Sequence, residues 1–302
     1  MTGGVRRPAV AGTFYAGERE ALLRELAWCY THPLGPGDLP PMTALPPLEH
    51  PVGLIAPHAG YRYSGPVAAW AYAFLARQGR PQGVVLLGPD HYGAGAPLSL
   101  SDADAWETPL GLAPIVHTLD APLCRRLPSL RLAPAAHRHE HSLEVHLPFL
   151  QHLFGPEVPL LPIAMGDQSP ATAVRLGQAL GDLLPRQGWA LVASTDLSHY
   201  YPDEEARRLD RRVLEAMRTG RPEAVGEAAQ EVNLCGPGPV MALLACCAVW
   251  GYPPPRLLAY ATSGDTGGER EGVVGYASLA VTRGAPPSGA SEGVGSRPLA
   301  RR

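Results

Sequence analysis

Five side chains of types that ligate metals lie in turns of this chain, and most of them follow apolar, strand-like runs. They are His58, His91, Asp196, His199 and Cys235. The runs ahead of the first four cover residues 52–56, 83–87 and 189–194, whereas Cys235 precedes a helical run. In open α/β sheets, ligands bind beyond the carboxyl ends of the strands, where residues from separate strands converge. The pattern predicts one metal site assembled from several loops.

The choice of ligands follows from the chemistry of the donors. A single histidine in a turn is more often exposed or a capping group than a ligand. The common position of His58 and His91 after successive strands favours ligation instead. Two histidines with a carboxylate suit Fe(II), whereas a thiolate favours Zn, Cu(I) or iron. We therefore expect His58 and His91 to be two of the ligands, with Cys235 or Asp196 as the third.

The cysteines differ in their surroundings. Cys235 lies in a Gly/Pro loop near the start of a helix, where the positive end of the helix dipole favours a thiolate. Cys246 and Cys247 lie in the middle of a helical run among Ala and Leu, which is typical of small buried apolar residues. Only Cys235 has the setting of a ligand.

Asp196 and His199 are three residues apart, which on a helical turn places both on one face. One interpretation is an acid/base pair, or a carboxylate that orients an imidazole. The other is a helix cap at Asp196 with an incidental histidine.

Residues 136–146 contain four histidines and two glutamates. The spacing predicts that Glu140 and Glu144 share one helical face. His146 lies five positions after His141, whereas the zincin pattern His-Glu-x-x-His needs four, so that pattern is excluded. His141 and Glu144 would cap a helix or line the pocket, or the segment would form a solvated helix face.

The elements that position these residues alternate between strand and helix. Residues 52–56 predict a buried strand, and residues 84–87 predict a second strand parallel to it. Between them, Ser64 is predicted to cap a helix that runs from about Pro66 to Arg77. Further strands are predicted near 98–100, 158–164, 189–194, 257–262 and 273–281, and helices near 121–127, 142–154, 171–184, 203–218 and 239–250. We expect Pro148 to kink its helix. The loop after the strand at 257–262 would be a lid or a long hairpin connection.

This alternation predicts a single α/β domain over residues 1–284, with a mixed or mostly parallel central sheet and helices on both faces. The Pro-rich segment 33–51 is interpreted as a surface connection. Residues 285–302, rich in Gly, Pro, Ser and Arg, predict a disordered tail.

Composition excludes several classes of function. A net charge of −3 and a pI near 6.4 provide no basic field for nucleic acid. All 25 basic residues are arginine, which excludes Schiff-base and P-loop lysine chemistry. Five cysteines without paired spacing argue against a disulfide framework. The first residues lack a signal-peptide core, and no apolar run is long enough to span a membrane. We therefore expect a cytoplasmic protein that binds neither nucleic acid nor membranes.

Six motifs together resemble the Memo family, whose prokaryotic members are called AmmeMemoRadiSam system protein B. The likeness covers about residues 6 to 282. The motifs lie, in order, at Arg7–Tyr15, Ala56–Tyr61, Gly88–Gly93, Glu140–Glu144, Ser194–Tyr200 and Cys235–Gly236.

The resemblance implies a fold similar to that of class III extradiol dioxygenases, which are non-haem Fe(II) enzymes. It implies that His58, His91 and Cys235 bind the metal and that Asp196 and His199 are further pocket residues. Cys235 stands where the dioxygenases have a carboxylate ligand. Family members are described as binding copper or iron. The family name also implies a pathway shared with radical-SAM and AMMECR-type proteins.

Three hypotheses follow. The first is a mononuclear redox protein of the oxygenase or oxidase type, with Fe(II) as the cofactor, or Cu, and an unknown small-molecule or peptide ligand. Here Asp196 and His199 act as catalytic residues that orient a ligand or move protons. The second is a zinc metallohydrolase that uses the same donors. The third is a non-catalytic module that binds a peptide or a partner protein.

Overall fold

The computed structural model of this chain describes residues 4–42 and 45–284. The predicted tail at 285–302 lies outside the described residues. None of the helices described combines the length and the apolar character needed to cross a membrane.

Strands and helices alternate along most of the described chain. The strands are β1 (Val5–Arg6), β2 (Val52–Ala56), β3 (Gly83–Pro89), β4 (Leu98–Leu100), β5 (Ala105–Thr108), β6 (Gly111–Pro114), β7 (Leu130–Leu132), β8 (Leu160–Met165), β9 (Trp189–Ser194), β10 (His199–Tyr201), β11 (Arg256–Thr262) and β12 (Val273–Val281). The α-helices are α1 (Arg19–Thr31), α2 (Tyr61–Gln78), α3 (Asp120–Arg126), α4 (Ala135–Arg138), α5 (Leu147–Phe154), α6 (Pro170–Leu183), α7 (Asp203–Arg218), α8 (Pro222–Ala228) and α9 (Pro237–Val249).

The large sheet has the strand order β10-β12-β2-β9-β3-β8-β4-β7, with β11 also paired to β12. Strands β2, β9, β3 and β8 are parallel neighbours, whereas β12 and β4 run antiparallel to β2 and β8. The sheet is therefore mixed, as predicted. Because β2, β9 and β3 are adjacent and parallel, their carboxyl ends meet at one edge of the sheet. A small second sheet has the order β1-β5-β6.

Both faces of the sheet are covered by apolar packing, which explains why its central strands are continuous apolar runs. In β9, Leu191 and Ala193 belong to one core, and Ala190 and Val192 to the other. Helices α6 and α9 contribute to the first core, and α1, α2 and α5 to the second. Burying a Leu or Val side chain contributes about 1.5–3 kcal/mol to the stability of the fold. Each central strand is therefore stabilised by packing on both of its faces. The single-domain α/β fold class with helices on both faces is confirmed.

Helix α2 begins earlier than its sequence predicts. The Tyr61 backbone N–H donates to the Phe14 carbonyl, so the helix starts at Tyr61 with a partner that is distant in the chain. Ser64 therefore lies inside the helix, where its hydroxyl donates to the Ala59 carbonyl. The predicted cap at Ser64 is wrong.

The predicted kink at Pro148 is also wrong. A 3-10 turn covers Glu144–His146, and α5 starts at Leu147, which places Pro148 in the first helical turn. The missing proline N–H has no intrahelical acceptor at that position, so the helix is not disturbed. By contrast, α7 and β12 have the predicted bounds. Strands β11 and β12 pair antiparallel, which agrees with a hairpin connection, one of the two alternatives for the loop between them.

Candidate metal centre

Three imidazole rings converge at the carboxyl edge of the large sheet. His58, His91 and His141 each offer a ring nitrogen within 4.8 Å of the other two. The His91 and His141 rings are stacked at 4.7 Å and 11°, and the His58 ring stands nearly perpendicular to both. His58 follows β2 and His91 follows β3, whereas His141 comes from the irregular segment between α4 and the 3-10 turn. Imidazole nitrogens in such a cluster can hold Zn, Fe or Cu.

His58 is almost completely buried, with 2% of its surface exposed. Its backbone N–H donates to Asp196 Oδ1 at 2.8 Å, and its Nδ1 lies 2.6 Å from Ser194 Oγ. Burial, and then the charges of the neighbouring histidines, hold the pKa of His58 well below its usual value. The ring is therefore neutral, which is the form that binds metals.

His91 is held by a carboxylate. The Glu140 side chain accepts from the His91 backbone N–H at 2.7 Å, and its other oxygen lies 2.9 Å from His91 Nδ1. Burial acts to raise the pKa of Glu140, but hydrogen bonds from His91 and Ser142 lower it to about 2. Burial lowers the pKa of His91, and the Glu140 hydrogen bond and charge more than reverse this effect. Because Nδ1 is occupied, Nε2 is the nitrogen that His91 can offer to a metal.

The same carboxylate also fixes the segment that carries His141. Glu140 Oε1 accepts from the backbone N–H groups of His141 and Ser142, each at 2.8 Å. The Phe14 ring packs on His141 with the centroids 4.7 Å apart. Burial lowers the pKa of His141, which favours a neutral ring. Glu140 therefore couples the position of His91 to that of His141.

A buried ion pair fastens the N-terminal segment behind this site. Glu144 is fully buried and accepts from Arg6 Nη1 at 2.5 Å and from the Tyr15 hydroxyl at 2.7 Å. The backbone N–H groups of Ala9 and Val10 donate to the same carboxylate at 2.8 and 3.0 Å. The Arg6 charge and these hydrogen bonds offset the desolvation cost of burying the Glu144 carboxylate. The segment that carries Phe14 is thereby anchored to the site.

Cys235 approaches His58 from the loop ahead of α9. Its Sγ lies 3.3 Å from His58 Nε2 and accepts from the Asp196 backbone N–H at 3.0 Å. Burial and the Asp196 charge raise the pKa of the Cys235 thiol. The next residue must be glycine, because a Cβ on Gly236 would lie 2.3 Å from the Ser194 carbonyl oxygen.

The likeness to known proteins extends over most of the chain. The profile of the family described as Memo-like protein matches residues 6–280. A MEMO1 family protein of Ignicoccus hospitalis is 42% identical over 282 residues, which cover 91% of this chain and 98% of that protein. This chain belongs to the Memo-like protein family. MEMO1 family proteins of Methanothermobacter thermautotrophicus and of a Thermotoga strain are 42% and 39% identical, over 91% and 90% of this chain and 99% and 98% of their own lengths.

A solved structure shares the fold of this Memo-like chain. It is an uncharacterized protein from Escherichia coli K12, with a TM-score of 0.52 and 18% sequence identity. The match covers 76% of this chain and 98% of the other. At this level of identity the likeness concerns the fold alone. The family resemblance that was drawn from the six motifs is confirmed.

In this Memo-like chain, the residues singled out from the sequence lie in one region. His58 contacts both Asp196 and Cys235, and His91 stands beside it with ring centroids 5.2 Å apart. His199 Nδ1 lies 3.1 Å from the Asn233 carbonyl, in the loop that leads to Cys235. Cys235 is not in the three-imidazole cluster, although it touches one of its members. The metal-binding and catalytic roles of these residues stay predictions.

The predicted helical turn at Asp196 is wrong, as is the helix cap. Residues 195–198 are not helical, and His199 begins strand β10. The backbone of this segment bonds across to β12, with Leu197 donating to Gly275 and Gly275 donating to Ser198. Asp196 is instead 4% exposed, and burial, opposed by the hydrogen bond from His58, raises its pKa to about 6.

The predicted shared helical face of Glu140 and Glu144 is wrong as well. Glu140 lies outside any helix, and both carboxylates are buried, with 1% and 0% of their surfaces exposed. A solvated helix face is therefore excluded, because both carboxylates are buried and bind neighbouring segments of the site. His141 lines the site, and the sequence signal for it was its place in the fourth motif of the family. Ser194, the last residue of β9, begins the fifth motif, but no role was predicted for it.

The distance between His58 Nε2 and Cys235 Sγ suits two donors that share one bound ion. An imidazole nitrogen at about 2.1 Å and a thiolate sulfur at about 2.3 Å from one ion stand roughly 3.1–3.6 Å apart, for right-angled to tetrahedral geometry. The distance of 3.3 Å between His58 Nε2 and Cys235 Sγ lies in this range. The donor set of imidazoles with one thiol is chemically suited to Fe, Zn or Cu.

Proposed function

We propose that this Memo-like protein binds one metal ion through His58, His91 and Cys235 and uses it in redox chemistry, with Fe(II) as the first candidate. The observation that carries the proposal is the convergence of His58 and His91, each held through Nδ1 so that Nε2 remains for a metal. Such outer partners are typical of metal-binding histidines. Cys235 contributes a sulfur at a distance from His58 that suits a common ion.

His141 is the alternative third ligand, or a fourth one. Its ring is stacked on His91 and belongs to the cluster of converging nitrogens. A thiolate donor favours the binding of iron, zinc or Cu(I), whereas an all-imidazole site is compatible with each of these metals. The two sets of ligands are therefore distinguished by substitution at Cys235 and at His141.

Bound iron would supply the exchange of electrons with an oxidant or a substrate. The protein's own side chains hold the ligating residues in place. Asp196 holds the His58 backbone and, being buried next to Cys235, keeps a carboxylate at the site. We propose that Asp196 and His199 orient a small-molecule or peptide ligand or move protons there.

Anaerobic reconstitution with Fe(II), followed by elemental analysis, tests the site. We expect about one iron per chain, and loss of binding in His58→Ala. The matched control is His50→Ala, because His50 is exposed and lies ahead of β2, whereas His58 lies beyond its other end. Unchanged stoichiometry in His58→Ala would remove His58 from the site. If Cys235→Ser retains full affinity while His141→Ala loses it, the third ligand is His141.

A zinc metallohydrolase is the second candidate. It is favoured by the three converging imidazoles, because three histidines with an open position form one type of catalytic zinc site. Oxygen consumption by the Fe(II) protein, absent from the Zn(II) protein, would support the redox function. Hydrolysis of activated esters by the Zn(II) protein, without oxygen consumption by the iron form, would support the hydrolase.

A further inference from the structure

Four buried side chains form a continuous hydrogen-bonded chain beneath the candidate metal centre. The Tyr72 hydroxyl lies 2.6 Å from His146 Nδ1, and His146 Nε2 lies 2.8 Å from Ser194 Oγ. Ser194 Oγ in turn lies 2.6 Å from His58 Nδ1. These side chains come from α2, the 3-10 turn, β9 and the turn after β2, so three of them reach His58 from elsewhere in the fold.

The direction of each hydrogen bond follows from one fixed acceptor. Ser194 Oγ also lies 2.6 Å from the Ser142 carbonyl, which can only accept. The single hydroxyl proton of Ser194 therefore points to Ser142, and both histidine nitrogens near Ser194 must carry protons and donate to it. His146 is then protonated on Nε2, which leaves Nδ1 to accept from Tyr72. Only this arrangement gives every donor and acceptor of the four side chains a hydrogen-bond partner.

Burial keeps the chain uncharged. It lowers the pKa of His146 to about 3 and holds the pKa of Tyr72 well above its usual value. The phenol therefore stays a donor and the imidazole stays neutral at physiological pH. No charged residue is hydrogen-bonded to these two side chains in the described part of the chain.

We infer that the chain Tyr72–His146–Ser194 is a positioning device that fixes the tautomer of His58. Nδ1 of His58 carries the proton, and Nε2 presents its lone pair on the side of Cys235. The consequence for metal affinity rests on the proposed function, since it requires that His58 is a ligand.

This arrangement differs from the one at His91. His91 donates to the ionised carboxylate of Glu140, which makes its ring a more basic ligand. His58 donates to a neutral hydroxyl, which orients the ring without adding negative charge. The two rings are thus held in the same tautomer by different means, one charged and one neutral.

The tautomer is measured directly in the metal-free protein. We expect long-range ¹⁵N–¹H NMR correlations to show His58 protonated on Nδ1 and His146 on Nε2, both in a single form. In Ser194→Ala, His58 should lose this uniformity and show both tautomers. His58 protonated on Nε2 in the unmodified protein, or an unchanged pattern in Ser194→Ala, would overturn the inference. The measurement on the unmodified protein does not depend on the folding of any variant.

The effect on binding is measured by titration with Fe(II) under anaerobic conditions. We expect Ser194→Ala to weaken binding about 10–100-fold, the usual effect of removing the outer partner of a ligand. Tyr72→Phe, one step further away, should weaken it by about fivefold or less. The matched control is Ser278→Ala, since Ser278 is a buried strand serine whose hydroxyl donates to the Val67 carbonyl. Equal affinities in Ser194→Ala and Ser278→Ala would overturn the inference.

The two proposals fail in different ways. If His58→Ala binds iron normally, the proposed metal site is wrong, whereas the tautomer measured by NMR is unaffected. If His58→Ala abolishes binding but Ser194→Ala changes neither the tautomer nor the affinity, the site stands and the positioning device does not.

Discussion

Acid should destabilise this protein through His146, and the effect can be calculated. His146 is 1% exposed, and burial lowers its pKa from 6.5 to about 3. Between these two values the unfolded chain binds a proton that the folded chain does not, so stability falls as the pH falls. The contribution of a neutral His146 is complete above about pH 6.5 and is lost progressively towards about pH 3.

The size of the effect follows from the two pKa values. At about pH 5, the free energy of unfolding should be lower than at neutral pH by about 2 kcal/mol on account of His146 alone. His146→Gln removes the titrating group, and its amide can still donate towards Ser194. The variant is expected to start from a lower stability at neutral pH, because Tyr72 loses its acceptor. It should nevertheless lose about 2 kcal/mol less than the unmodified protein between the two conditions.

Urea denaturation of the metal-free protein at about pH 7 and about pH 5 provides the measurement. Ser278→Ala serves as the control, since serine does not titrate and the variant should follow the acid dependence of the unmodified protein. Parallel losses in His146→Gln and the unmodified protein would refute the reasoning, because His146 would then be protonated to the same extent in the folded and unfolded chains.

Other substitutions test the remaining supports of the site. Gly236→Ala should lower the free energy of unfolding by about 1–3 kcal/mol, because a Cβ there meets a strand carbonyl at 2.3 Å; an unchanged thermal midpoint would contradict this. Glu144→Gln should lower the free energy of unfolding, measured by urea denaturation, by about 3–5 kcal/mol, because Arg6 would be left buried without its counter-charge. A decrease below about 1 kcal/mol would show that the ion pair is dispensable. Glu140→Gln should weaken Fe(II) binding about 10–100-fold in anaerobic titration, and normal affinity would mean that His91 needs no carboxylate.

The sheet, and the convergence of His58 and His91 at one of its edges, were predictable from the sequence. Residues 52–56 and 189–194 are continuous apolar runs because helices cover both sides of them, and α7 shows a periodic pattern along its whole length. The rule that ligands lie beyond the carboxyl ends of parallel strands then brought His58 and His91 to one edge. These features depend on local patterns, which a single sequence contains.

The errors have a common physical cause, which is pairing between distant segments. Asp196 was assigned to a helical turn because spacing alone does not reveal that its neighbours bond to β12. The buried role of Glu144 depends on Arg6, which is 138 residues away. Residues 139–143 have no regular period, so neither the ring position of His141 nor the contacts of Glu140 could be read from the pattern.

Strand β9 has a consequence for how this protein is made. It lies between β2 and β3, although β2 and β3 leave the ribosome about 130 and about 100 residues earlier. Until Trp189–Ser194 has been synthesised, the nascent chain exposes two apolar strands whose shared neighbour does not yet exist, a state that is prone to aggregation. Insertion of β9 also brings Ser194 to His58, so the step that closes the sheet also supplies the hydrogen-bond partner of the His58 ring.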